Sequence, residues 1–210
     1  DELLRIHGDI LLLTNEDMYP VYDNSFISES LISSFASDNQ TFISQSEIIT
    51  GTNLDEGAIL LYHDAPDIFQ RGISAELNIT TATNVLTRVL DKRLGQIPND
   101  DFLRIMNYYF GNINQTDSKL LESALVAAIS ATVTCPESFY SALMSTNNNV
   151  YRYYFTQDTC YNSFNGWHLS TNFQEVQYVF GMPILNSDLY TNSERQFSID
   201  IIKAWASFAY

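Results

Sequence analysis

Apolar residues recur at helical spacing in several stretches of the chain, and these are its clearest structural signals. Phe102, Ile105, Met106 and Tyr109 follow Asn99, Asp100 and Asp101, which read as a cap and first-turn acids, and predict an amphipathic helix. Over residues 117–132, Leu120, Leu121, Ala124, Leu125, Ala128 and Ile129 mark a second buried stripe. Pro136 then punctuates, and Phe139, Tyr140, Leu143 and Met144 predict a shorter helix beyond it. Residues 83–93 predict another. The closing segment sets Ser193 and Gln196 at capping-box spacing and carries Phe197, Ile201, Trp205 and Phe208 along one face.

Strands are predicted at residues 47–50 and 150–156, where β-branched and aromatic residues dominate and both faces read as apolar, the pattern of strands covered by helices on each side. The fold class is therefore α/β. Two strands do not make a stable sheet alone, so further strands are expected from sequence outside this chain. The Ser-Thr-Asn-Asn-Asn run at residues 145–149 reads as a loop between helix and strand. No repeat or linker divides residues 1–210, which read as part of a single domain.

With 210 residues, 45% of them hydrophobic, the chain can bury a sizeable core. Its 10 basic against 25 acidic residues give a net charge of −15 with no Lys/Arg cluster, which excludes the footprint of a nucleic-acid binder. The acidic excess reads as solvated surface charge and names no ligand. No apolar run approaches the ~20 residues of a transmembrane segment. The first residues, Asp1, Glu2, Leu3 and Leu4, lack the order of a signal peptide and read as the interior of a longer chain. Acceptor triplets for N-glycosylation stand at Asn39, Asn78 and Asn114. Together with Cys135 and Cys160, enough for one disulfide or else two buried thiols, they favour the secretory pathway or a secreted protein.

Two strand exits carry the candidate chemistry. GTNLDEG at residues 51–57 follows the first strand; its glycines are expected to turn the backbone sharply, presenting Asp55 and Glu56 at the strand's carboxyl end, where open α/β sheets place their sites. A helix cap or solvated charge is the plainer reading of that pair. STNFQEVQYVFG at residues 170–181 follows the second strand, with Phe173, Val176, Tyr178 and Phe180 as expected anchors of a short ordered piece ending at Gly181. The three histidines, His7, His63 and His168, are scattered and the cysteines lie apart, so no metal-ligand spacing is present and no cofactor is expected.

In order along the chain, TyrProValTyrAsp at residues 19–23, GTNLDEG, the helix entering ThrCysPro at residue 134, VYRYYF, EVQYVFGMP and the Phe197 to Phe208 helix resemble the type-B carboxylesterases. That family includes the cholinesterases and several fungal lipases and has the α/β-hydrolase fold. The resemblance implies a C-terminal portion of such a domain, in which a serine attacks an ester, a histidine moves the proton and an acid orients the histidine. Glu56 falls on the acid's position. The serine belongs to a GxSxG elbow, and no GxSxG occurs here.

The family's histidine stands nine residues before the glycine of YVFG, and Asn172 occupies that position. A carboxamide has no lone pair basic near pH 7 and cannot act as general base. With Glu175 three residues on, Asn172 is expected to serve as a helix cap. His168, in the same loop, is the candidate substitute base, though an ordinary surface or packed histidine is the plainer reading.

In cholinesterases the cysteine matching Cys135 pairs with one nearer the C-terminus than this chain reaches, which leaves Cys160 as the expected partner. The resemblance thus implies either a non-hydrolytic member with a structural, storage or crystal-forming, or adhesion role, or an active serine carboxylic-ester hydrolase completed by an N-terminal chain. In both, the expected partner is the N-terminal portion of the same protein, with a homo-oligomer or lattice as a further option.

Overall fold

The computed structural model describes residues 46–70, 75–157, 159 and 170–210. His7, Asn39, Cys160, His168 and the motif at residues 19–23 lie outside the described residues. Strand β1 (Glu47–Asn53) and strand β2 (Asn149–Phe155) pair in parallel, from Glu47 opposite Asn149 to Asn53 opposite Phe155. Parallel neighbours need a crossover, and here four helices supply it: α1 (Glu56–Asp64), α2 (Ile79–Leu94), α3 (Asn99–Phe110) and α4 (Ser118–Met144). Three more helices follow β2, namely α5 (Gln174–Val179), α6 (Met182–Leu185) and α7 (Asn192–Ala209).

The helical stripes make the core. Leu61 of α1, Val85, Leu86 and Val89 of α2, and Leu121, Leu125 and Ile129 of α4 are fully or almost fully buried against one another, with Phe69 and Phe110 closing the cluster. Each such side chain contributes about 1.5–3 kcal/mol over its exposed state. Helices cover both faces of the strand pair. Tyr151 meets Phe208 of α7 edge-on, Tyr153 packs tilted against Trp205, and Phe155 stacks on Phe197. On the other face Arg152 donates to Glu137 of α4 at 2.8 Å. The cover is incomplete, since Tyr151 and Tyr154 remain more than half exposed.

Four boundaries differ from the sequence reading. Pro136 does not end a helix; α4 runs through it for 27 residues. The proline removes one N–H and would cost about 3 kcal/mol in an isolated helix, but the segment beyond it is fastened to the sheet. Glu137 accepts from Thr50 Oγ1, Arg152 Nε and Ser141 Oγ, which holds that segment in line. Read as one element, α4 is long and apolar enough by composition to cross a membrane, yet it packs here against α1, α2 and α3.

Helix α2 begins at residue 79 because Asn78 Oδ1 accepts from Thr81 N–H at 2.9 Å, so the exposed acceptor asparagine is also a helix cap. Helix α3 is preceded by Pro98, and Asn99 is already its first residue, without a side-chain cap. The capping box of α7 joins Thr191 to Glu194 and not Ser193 to Gln196; the Glu194 carboxylate returns to Thr191 N–H at 2.8 Å.

Candidate functional site

The two strand exits lie side by side. Leu54 N–H donates to Phe155 O, and Asp55 N–H donates to Ser170 O at 2.8 Å, so the chain leaving β1 stays paired with the chain beyond β2. An isolated bridge between Asp55 and Thr171 continues the parallel register. Ser170 Oγ donates back to Phe155 O at 2.8 Å and fixes the start of the second loop.

The glycines of GTNLDEG work by close approach and do not turn the chain. Gly51 lies inside β1, where a Cβ would stand 2.4 Å from Tyr153 O. Gly57, in the first turn of α1, donates its N–H to Ser130 Oγ at 2.7 Å, and a Cβ there would stand 2.5 Å from Val126 O. A side chain at Gly51 would push β2 away from β1, and one at Gly57 would push α1 away from α4. Close seating of α1 on α4 in turn buries Glu56, which is 4% exposed.

Both Glu56 oxygens are occupied. Oε1 accepts from Asn53 N–H at 2.7 Å, and Oε2 accepts from Asn172 Nδ2 at 2.5 Å. Asn53 Nδ2 in turn donates to Thr171 O and to Glu175 Oε2, at 2.6 and 2.5 Å. The expected cap at Asn172 is therefore not formed. The residue before α5 is Phe173, without a side-chain cap, and Gln174 N–H bonds to Thr171 O. A charge-assisted bond to a buried carboxylate is worth roughly twice a neutral one, which outweighs capping a six-residue helix.

Phe173 has φ of 69°, the left-handed region, where a bulky side chain is strained. It is also 72% exposed, as is Phe180 to a similar degree, so of the four expected anchors only Tyr178 is fully buried. Tyr178 hydroxyl donates to Glu194 Oε1, and its backbone O accepts from Ser198 Oγ, tying α5 to α7. Gly181, also left-handed at φ 73°, ends the short element as expected. Beside the site, burial and then the charges of Glu175, Glu56 and Glu137 push the Tyr153 phenol up to about 12, so it stays neutral at physiological pH.

Among the described residues no imidazole contacts Glu56. His63, at the far end of α1, lies 2.9 Å from Asp64 Oδ1 through Nδ1. Asp64 is a buried carboxylate gripped also by Lys92 Nζ at 2.8 Å and by Arg93 through two nitrogens. Burial pushes this carboxyl up, but the bonds from Lys92, His63 and Arg93 outweigh it and hold it down at about 2. Among the described residues no three His, Cys, Asp or Glu side chains gather as a metal site needs. A notch of about 340 Å³ lies next to Asp55, lined by Leu54, Ser123, Ser130 and Tyr154, and does not include Glu56 or Asn172.

Asn78 and Asn114 are both exposed, the latter with Oδ1 accepting from Thr116 N–H and Oγ1. Cys135 is exposed on α4 and forms no disulfide among the described residues; its expected partner Cys160 lies outside them. Sequence reasoning missed Asn53 and the Asp64 cluster. Apart from Glu56 beside Asn53 and His63 beside Asp64, their partners are 28 to 122 residues away, and no local pattern announces those.

A parallel strand pair sandwiched by helices, with a buried acid leaving one strand and gripped by the loop beyond the other, defines part of an α/β-hydrolase fold. The chain belongs to the carboxylesterase family, whose model matches residues 11–210. It is 25% identical over 164 residues to acetylcholinesterase-1 of Trittame loki, covering 77% of this chain and 29% of that protein. It is 27% identical over 180 residues to acetylcholinesterase 4 of Caenorhabditis briggsae (77% and 29%), and 24% identical over 169 residues to the cholinesterase of Mus musculus (80% and 27%). The chain thus spans less than a third of the length of these relatives.

Proposed function

We propose that this chain is the C-terminal portion of a carboxylesterase-like protein that does not hydrolyse esters, with Glu56 on the acid position and Asn172 on the position of the family's histidine. One observation carries the reading: the group that Glu56 holds at 2.5 Å is a carboxamide. An orienting acid is kept, while its partner can donate a hydrogen bond but cannot take a proton from a serine. Loss of a triad base leaves only the residual catalysis of oxyanion stabilisation and binding. The role that remains is structural, storage or crystal-forming, or adhesive.

The competing reading is an active serine carboxylic-ester hydrolase, completed by an N-terminal chain and using His168 as base. It draws on the cholinesterase names of the relatives. The complete protein, given a chromogenic short-chain ester and an organophosphate serine label, is expected to turn over neither. Turnover of the ester, or stoichiometric labelling, would establish the competing reading.

The secretory pathway is the proposed location, on the exposed acceptor asparagines Asn78 and Asn114 and the third at Asn39. The proposed partner is the N-terminal portion of the same protein, and the proposed bridge is Cys135 to Cys160. Peptide maps with and without reductant, showing a linked pair, would support the bridge; two free thiols would remove it.

A further inference from the structure

Asn53 is 1% exposed and bonds to Glu56, Thr171 and Glu175, so it reaches both strand exits. Its backbone N–H fixes Glu56 Oε1, and its Nδ2 reaches both Thr171 O and Glu175 Oε2. Its own Oδ1 is buried without a partner among the described residues. Turning the amide over would not relieve this, because it would set an acceptor oxygen against a carbonyl and a carboxylate and lose both bonds. The orientation is therefore dictated by its two acceptors.

We infer that Asn53 is a positioning residue that holds the side chain at position 172 in register with the Glu56 carboxylate. It acts twice. Through its N–H it fixes the acid, and through its amide it fixes Thr171, the residue just before Asn172. It also occupies Glu175, the second carboxylate within reach, so that the group at position 172 has Glu56 as its partner. Among the described residues, the charged and titratable groups around that point are Asp55 and Glu56 from the first exit, Glu175 from α5 and Tyr153 from β2. The inference rests on the reading of Glu56 and Asn172 as acid and base positions, and its test keeps the two apart.

In the complete protein carrying Asn172→His, the introduced imidazole is expected to titrate at least one pH unit above its ordinary value of about 6.5, followed by NMR, because it meets the Glu56 carboxylate. Adding Asn53→Ala, which keeps the N–H but removes the amide, should abolish at least half of that rise. Adding Asn53→Ser, which keeps one donor in a smaller side chain, should give an intermediate value and serves if the alanine variant does not fold. An unchanged rise in either folded variant, or an imidazole of ordinary pKa in the Asn172→His parent, would overturn the inference. Ester turnover by the unmodified protein would sink the functional reading instead, and leaves the titration result standing.

Discussion

Asn172 donates its side-chain amide to Glu56 Oε2 across 116 residues of sequence, and this bond joins the loops that leave the two strands. Glu56 is buried and also receives Asn53 N–H, so the carboxylate is a structural hub whatever its chemical role. Glu56→Ala would leave two donors without their acceptor, one of them a buried N–H. The expected loss is about 1–3 kcal/mol, measured by urea denaturation of the complete protein. A change below 0.5 kcal/mol on the scale of ordinary surface substitutions, roughly, would mean the pair is idle.

The Asp64 cluster gives stability a pH dependence. Its folded-state pKa, about 2, lies below the ordinary value of 3.8, so its contribution is fully present above about pH 4 and is lost as the pH falls through 2. The size is about 2 kcal/mol. Asp64→Asn should therefore destabilise at neutral pH, and the gap between variant and parent should close toward pH 2. Parallel denaturation curves across that range that keep a constant gap would contradict this assignment.

Gly57→Ala should loosen the seat of α1 on α4. The new methyl meets the backbone at Val126 O and Ser130 N, neither of which can swing aside like a side-chain tip. A loss of about 1–3 kcal/mol is expected in thermal or urea unfolding. Gly95→Ala supplies a contrast in kind: nothing stands within 4 Å there, and only its φ of 76° opposes the change.

Phe173→Gly should stabilise the protein. A left-handed residue costs roughly 1–2 kcal/mol when it carries a side chain, and the exposed ring offers little buried area in return. After the extra unfolded-state freedom of glycine, a gain of about 0.5–1 kcal/mol is expected, read as a rise in Tm. A fall would reveal that the ring makes a contact in the complete protein.

Thr191→Ala should cost about 1 kcal/mol, since it breaks the capping box of α7, while Ser193→Ala should cost much less. Equal effects would show that the first turn of α7 is held differently.

The helices of this fold were legible because their signals are local. The stripe from Leu121 to Ile129 depends on neighbours within a few residues, whereas the caps at Asn78 and Thr191 were missed, although both are equally local. Pro136 misled for the same reason: its local cost is real, and only the distant bonds from Thr50 and Arg152 to Glu137 show why the helix continues. At the site, position after a buried strand pointed to Glu56, whereas the spacing of Asn172 and Glu175 pointed to a cap that does not form.

By itself, then, the sequence determined the amphipathic periods, the α/β order and the pair of strand exits, because hydrophobic periodicity is written in adjacent residues. Only the tertiary structure decided that Asn172 turns to Glu56, that Glu175 turns to Asn53, and that Gly51 and Gly57 serve close packing and not bends. Hydrogen-bond partners and burial are set by which segments meet, and these segments meet across more than a hundred residues for each of the two side-chain pairs.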